Sequence, residues 1–211
     1  MTTSQDILNR IKEESIKYVD LRFTDPRGKW QHLTIDIAMV DEEFLEEGTM
    51  FDGSSIAGWK AINESDMLLM PDLETGFIDP FFAQTTLVLF CDILEPYTGE
   101  AYNRDPRSTA KRAEAYVKTS GVGDTVFFGP EAEFFVFDDV RWNIGMNKIS
   151  AEFDSEEGPY NTDAEYDAGN MGHRPAIKGG YFPVPPVDSG QDLRGEMLAA
   201  IAEMGVETEK H

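Results

Sequence analysis

The stretch Gly129-Pro130-Glu131-Ala132-Glu133-Phe134-Phe135-Val136-Phe137-Asp138 constrains the chain more than any other. Read with the period of a strand, Glu131, Glu133, Phe135 and Phe137 share one face, and Ala132, Phe134 and Val136 share the other. Both faces are apolar over most of their length, as in a strand covered on two sides. Two carboxylates then stand at the head of one face, with α-carbons about 6.6 Å apart at about 3.3 Å per residue. Buried and unpartnered, they would repel, and one would be pushed towards its protonated form. Hard divalent cations with oxygen ligands would relieve that conflict. The same residues also fit a frayed strand start whose carboxylates point into water, and the segment by itself leaves both readings open.

The chain of 211 residues has room for one large domain or two small ones. Hydrophobic residues at 41% and aromatic residues at 11% suffice for a packed core. Against 18 Lys and Arg stand 40 Asp and Glu, a formal charge of −22. That balance argues against duplex nucleic acid or an anionic membrane as the main partner, and an acidic surface most simply means solubility. The single cysteine, Cys91, lies in an apolar run and reads as a small core residue, and no intrachain disulfide is possible. The N-terminus has no apolar signal core, and no run approaches a membrane span. A cytoplasmic, soluble protein is expected.

Residues 4–14 read as a helix with Ile7, Leu8 and Ile11 on one face and Ser4 as its N-cap. Residues 18–24 and 30–37 alternate at period two around Asp25-Pro26-Arg27-Gly28, which predicts a hairpin through a type I turn. Runs at 67–71 and 85–94 read as further strands. The first hundred residues are therefore an α+β unit with a small mixed or antiparallel sheet. A turn-rich connector at 95–100 marks a boundary. Residues 108–119 read as a helix with Pro106 near its start and Gly121 past its end. The polar stretch 150–171 reads as a long loop. The stretch 178–186 is expected to be extended and held by three prolines, residues 192–204 to be a helix closed by Gly205, and residues 206–211 to begin a strand. Strand 131–138 has too few partner strands after it to cover both faces, so the second domain looks unfinished and the chain looks like a fragment of a longer protein.

Phe51-Asp52-Gly53-Ser54-Ser55 places a carboxylate and two hydroxyls in a glycine-relaxed turn, ordinary turn chemistry that could also hold a base or cation binder. Asn63-Glu64-Ser65-Asp66 is explained equally by capping. The 3 histidines, His32, His173 and His211, have no metal-ligand spacing; His32 reads as a sheet-surface residue. No phosphate-binding loop, dinucleotide fingerprint or Ser-His-Asp arrangement is present. From the residues alone the chain is an acidic α+β protein with a possible carboxylate pair for a divalent metal.

The motifs in combination are more specific. Phe51-Asp52-Gly53-Ser54-Ser55 followed after eight residues by Glu64-Ser65-Asp66-Met67-Leu68-Leu69, then Gly129-Pro130-Glu131-Ala132-Glu133-Phe134-Phe135, then Lys178-Gly179-Gly180-Tyr181-Phe182-Pro183-Val184-Pro185-Pro186-Val187-Asp188, resembles glutamine synthetase, in its bacterial class I form. The resemblance runs in order over essentially the whole chain. It implies a β-grasp-like N-terminal domain over residues 1–103 and the incomplete N-terminal part of a catalytic α/β domain over 104–211. It implies ATP-dependent ligation of ammonia to glutamate through γ-glutamyl phosphate, with two Mg²⁺ or Mn²⁺ ions in the complete site. Glu131 and Glu133 would be metal ligands, one leaning to each ion. Asp52 would bind ammonium and take its proton, with Ser55 and Tyr181 lining that site, and Glu209 would contact the nucleotide. The family forms rings, commonly dodecamers, in which Asp52 serves the neighbouring protomer's site. Glutamate, ammonium and ATP are the expected partners, with no nucleic acid or membrane. Since the family's other ligands fall beyond His211, the 211-residue chain is expected to be inactive alone. A related γ-glutamyl-amine ligase and a non-catalytic acidic assembly domain are the alternatives; Asp52 with Tyr181 favours ammonia as acceptor.

Overall fold

The computed structural model describes residues 1–158, 165 and 174–211. The chain divides into two compact units, Met1–Phe128 with Glu203–Val206, and Gly129–Ala202 with Glu207–His211.

The first unit is a mixed α+β structure. Helix α1 spans Ser4–Glu13. Its N-cap is Thr3 and not Ser4: the Asp6 N–H donates to Thr3 Oγ1 at 3.2 Å, and the Thr3 N–H donates to Asp6 Oδ2 at 2.9 Å. This reciprocal pair satisfies two otherwise orphaned donors. Strands β1 (Tyr18–Thr24) and β2 (Trp30–Asp36) form the expected hairpin. Its turn is closed by the Gly28 N–H on Asp25 O at 3.0 Å, while Asp25 Oδ1 accepts from the Arg27 and Lys29 N–H groups at 2.9 and 3.0 Å. Strand β3 (Thr49–Asp52) follows α2 (Glu42–Glu47), and β4 (Asp66–Pro71), β5 (Phe77–Ile78) and β6 (Thr86–Leu94) complete the sheet. Its order is β2-β1-β6-β4-β3, with β5 on β6, and only β1–β6 is parallel among these pairs.

The alternation expected at 18–24 and the apolar run at 85–94 supply the core. Val19, Leu21, Leu87, Leu89, Cys91 and Ile93 are buried in one cluster with Ile7 and Ile11 of α1. Each buried leucine contributes roughly 2 kcal/mol of apolar transfer free energy. Burial pushes the Cys91 thiol well above its ordinary value, so this cysteine is an inert core residue as expected. Gly48 links α2 to β3 at φ +75°, and a Cβ there would lie 2.3 Å from the Leu69 carbonyl oxygen, so only glycine fits.

The opposite face of β1 carries Asp20 and Arg22. Register places Thr34 across from Asp20 and His32 across from Arg22. Asp20 is fully buried and accepts from Thr34 Oγ1 (2.6 Å) and Arg22 Nε (2.8 Å), with His32 Nδ1 at 2.8 Å. Arg22 Nη2 also donates to Asp79 at 2.6 Å, and its guanidinium lies 5.7–5.9 Å from the ring centroids of Trp30, Phe77 and Phe82. A buried charge is tolerated here because it is fully hydrogen-bonded.

Helix α3 (Pro106–Ser120) is capped by Asp105, which accepts from the Arg107 and Ser108 N–H groups, and it stops at Gly121 in the left-handed region. Arg107 donates to Asp92 at 2.9 Å and pairs with Asp72; Lys111 pairs with Asp92. These ion pairs fasten α3 to β6 and to the turn just after β4, within the first unit.

The second unit departs from expectation in several places. Residues 129–137 are not a strand: they enter no ladder, and Phe134, Phe135, Val136 and Phe137 are 49, 74, 39 and 40% exposed. A strand exists only with a partner, and among the described residues none pairs with this segment. Its period survives in part, since the rings of Phe135 and Phe137 stack at 6.2 Å. The stretch read as a loop from 150 instead begins as β8 (Ile149–Asp154), the antiparallel partner of β7 (Asp139–Ile144). Polar residues alternate with Ile149, Ala151 and Phe153 there, and the hairpin partner supplies the ladder that composition did not suggest. The rest of that stretch, 159–164 and 166–171, lies outside the described residues, as does His173. Residues 178–186 are turns and not extended backbone: Lys178 and Phe182 both have φ 61°, and the Val187 N–H closes on Val184 O at 3.1 Å. Helix α4 spans Gln191–Glu203, and its apolar residues Leu193, Met197 and Ile201 remain 36–44% exposed. Residues 206–211 form no strand. No helix among the described residues is long and apolar enough to cross a membrane.

Candidate active site

Asp52 ends β3, directly opposite Asp66 on β4. The chain then turns through one turn of 3₁₀ helix, Gly53–Ser55, with Asp52 as its N-cap. The Gly53 N–H donates to Ser65 O at 2.7 Å. A Cβ on Gly53 would stand 2.4 Å from Met67 Sδ and 3.1 Å from Ser65 O, so the turn lies tight against β4. The Ser54 N–H and Oγ both donate to Asp52 Oδ1, at 2.9 and 2.6 Å. These bonds hold the Asp52 carboxyl below the ordinary carboxylate range, with desolvation opposing them. Asp52 is therefore an exposed, ionised, immobilised carboxylate. The hydroxyl that holds it belongs to Ser54. Ser55, the residue singled out from the motif, is exposed on the same turn. The clue in the sequence was the spacing, since a serine two positions after aspartate is where an Asx-type turn closes.

Residues 63–66 line a neighbouring cleft of about 510 Å³ with Lys60 and Glu95. Lys60 Nζ donates to both Glu95 oxygens, at 2.7 and 2.8 Å, so its charge is already matched. His32 is on the sheet surface, as expected, with its ring nitrogen on Asp20.

The other candidates belong to the second unit. Glu131 and Glu133 are exposed, the water-facing alternative of the two left open by their pattern. Their hard oxygens suit Mg²⁺ or Mn²⁺. Among the described residues no three His, Cys, Asp or Glu side chains converge, so this pair offers only part of a ligand set. The segment that follows the pair adjoins the Lys178-Gly179-Gly180 motif: a cleft of about 250 Å³ is lined by Phe134, Phe135, Phe137, Lys178 and Gly180. Tyr181 is 83% exposed and its ring lies 4.4 Å from that of Phe182. Glu209 is exposed and pairs with Lys210 at 3.1 Å.

A helix-flanked mixed sheet carrying an exposed Asp-Gly-Ser-Ser turn thus makes up the first unit, and the second begins with a carboxylate-bearing segment. A family model described as the glutamine synthetase beta-Grasp domain matches residues 15–96, and one described as the glutamine synthetase catalytic domain matches residues 103–211. The chain belongs to the glutamine synthetase family. It is 65% identical over 211 residues to the glutamine synthetase of Rhizobium meliloti (strain 1021) and 67% identical over 211 residues to that of Bradyrhizobium diazoefficiens, covering 100% of this chain and 45% of each relative. It is 56% identical over 209 residues to the Escherichia coli (strain K12) glutamine synthetase, covering 99% of this chain and 45% of that one. The chain thus spans just under half the length of the curated relatives it matches. Its fold is also that of Plasmodium falciparum glutamine synthetase, with a TM-score of 0.84 at 20% identity over 100% of this chain and 42% of that one.

Proposed function

We propose that the full-length protein is an ATP-dependent glutamate–ammonia ligase that works in the cytoplasm as a homo-oligomeric ring. The observation that carries this reading is the identity of 65–67% to curated glutamine synthetases across the whole chain, with the Asp52, Glu131 and Lys178 motifs in order. In this reading residues 104–211 are the N-terminal part of the catalytic domain.

Glu131 and Glu133 would hold the divalent ions, whose chemistry is to neutralise charge on the transferring phosphoryl group. A γ-carboxylate oxygen of glutamate displaces ADP from the terminal phosphorus of ATP. Ammonia then attacks the acyl carbon, and phosphate leaves with that oxygen. Asp52 holds ammonium by charge and receives the proton that must leave before nitrogen can attack. Ser55 and Tyr181 line the ammonium site, and Glu209 contacts the nucleotide. Supporting this assignment, Asp52 is exposed and one of its carboxylate oxygens accepts two hydrogen bonds from Ser54.

Purified full-length protein supplied with ATP, glutamate and a panel of acceptors tests the acceptor. Glutamine formation from ammonium is expected to exceed product formation from methylamine, ethylamine or putrescine. A preference for an alkylamine would replace this reading with a γ-glutamyl-amine ligase.

A further inference from the structure

We infer that Ser54 is a positioning residue for ammonium capture: it fixes Asp52 as an oriented anion through two hydrogen bonds to a single oxygen. The inference rests on the reading of Asp52 as the ammonium-binding group and adds to it the residue that makes Asp52 fit for that task.

The Ser54 N–H and Oγ converge on Asp52 Oδ1 at 2.9 and 2.6 Å, and among the described residues no hydrogen bond reaches Oδ2. A carboxylate tied at one oxygen has a restricted χ1 and χ2 and presents its other oxygen in a defined direction. The turn beneath it is rigid, because Gly53 lies against Met67 and Ser65 with no room for a side chain. Both donors favour the charged form of Asp52, in the direction its titration is displaced. A cation is attracted by that charge; a neutral amine is not. Ser54 acts through Asp52, to which both its N–H and its hydroxyl donate.

The test is a set of three variants of the full-length enzyme: Ser54→Ala, Ser54→Thr and Asp52→Asn. Ser54→Ala is expected to raise KM for ammonium about tenfold, the scale of one hydrogen bond to a charged group, while KM for glutamate and ATP stays the same. Hydroxylamine, which is already neutral at pH 7, is expected to lose much less when it replaces ammonium as acceptor. Ser54→Thr keeps the hydroxyl and is expected to restore the ammonium KM, which also shows that the turn tolerates substitution. An unchanged ammonium KM in Ser54→Ala, with Asp52→Asn impaired, overturns the inference alone. An equal loss for all substrates and for hydroxylamine overturns it too, since that marks a general structural role. An unimpaired Asp52→Asn overturns the underlying reading of Asp52.

Discussion

Replacing Arg22 by methionine is expected to lower the stability of the first unit by about 3–5 kcal/mol, the cost of leaving a buried charge without its partner. Asp20 has a fully buried side chain, Arg22 is 13% exposed, and the two meet at 2.8 Å. Arg22 also pairs with Asp79, whose side chain is 8% exposed, at 2.6 Å. Methionine would fill much of the volume among Trp30, Phe77 and Phe82 but would leave Asp20 and Asp79 without their guanidinium partner. A domain with a total stability of about 5–15 kcal/mol would lose a large share of it. Hydrogen exchange at the β1 and β6 amides reads this unit specifically, and a change below about 1 kcal/mol, the range of an ordinary exposed ion pair, would contradict it. Pairing Arg22→Met with Asp20→Asn is expected to recover part of the loss, because the second change removes one stranded charge.

The same network sets an acid limit. Burial alone would raise the Asp20 carboxyl, but hydrogen bonds from Thr34, His32 and Arg22 outweigh it and carry the group below its ordinary value. A depressed folded-state value stabilises the fold at all pH above the unfolded value, near about 4. That contribution is lost as pH falls from there through the folded value. Protection of the β1 amides is expected to fall in this acid window.

Replacing Glu131 or Glu133 by glutamine is expected to cost the full-length enzyme about 10³-fold or more in glutamine formation, since a catalytic metal supplies several kcal/mol of charge stabilisation. Glutamine keeps the shape of glutamate but is a weak ligand for a hard cation. Both positions are exposed and outside any ladder in this chain, so the loss would come with little change in folding stability. Titration of free Mn²⁺ should show weaker binding or fewer ions per chain in each variant. Full activity with unchanged Mn²⁺ stoichiometry would remove both residues from the metal site.

What the residues revealed in advance follows from how local each feature is. The hairpin at 18–36, the strands at 67–71 and 85–94, and helix α3 with Pro106 and Gly121 at its ends were all legible, because alternation, turn chemistry and caps act within a few residues. The parallel pairing of β1 with β6 was not, since it joins residues more than sixty positions apart. Residues 129–137 show the limit most clearly. Their alternation predicts a strand that does not form, because a pattern describes how a segment would pair and pairing also needs a neighbour. The same holds for the apolar residues of α4, which share a face without cover. At the candidate site, the motif singles out Asp52, and the structure shows it as an exposed carboxylate at the end of β3. The hydrogen bonds from Ser54 to Asp52 were legible only as the spacing of an Asx-type turn, and the choice between two adjacent hydroxyls came from the backbone of the turn.

In the proposed reaction glutamate is activated by phosphorylation on its γ-carboxylate before ammonia attacks. Full-length enzyme given ATP, ammonium and glutamate labelled with ¹⁸O in the γ-carboxylate tests it directly. One labelled oxygen is expected in the phosphate released with each glutamine formed. Unlabelled phosphate alongside glutamine would contradict the γ-glutamyl phosphate route proposed for the full-length protein.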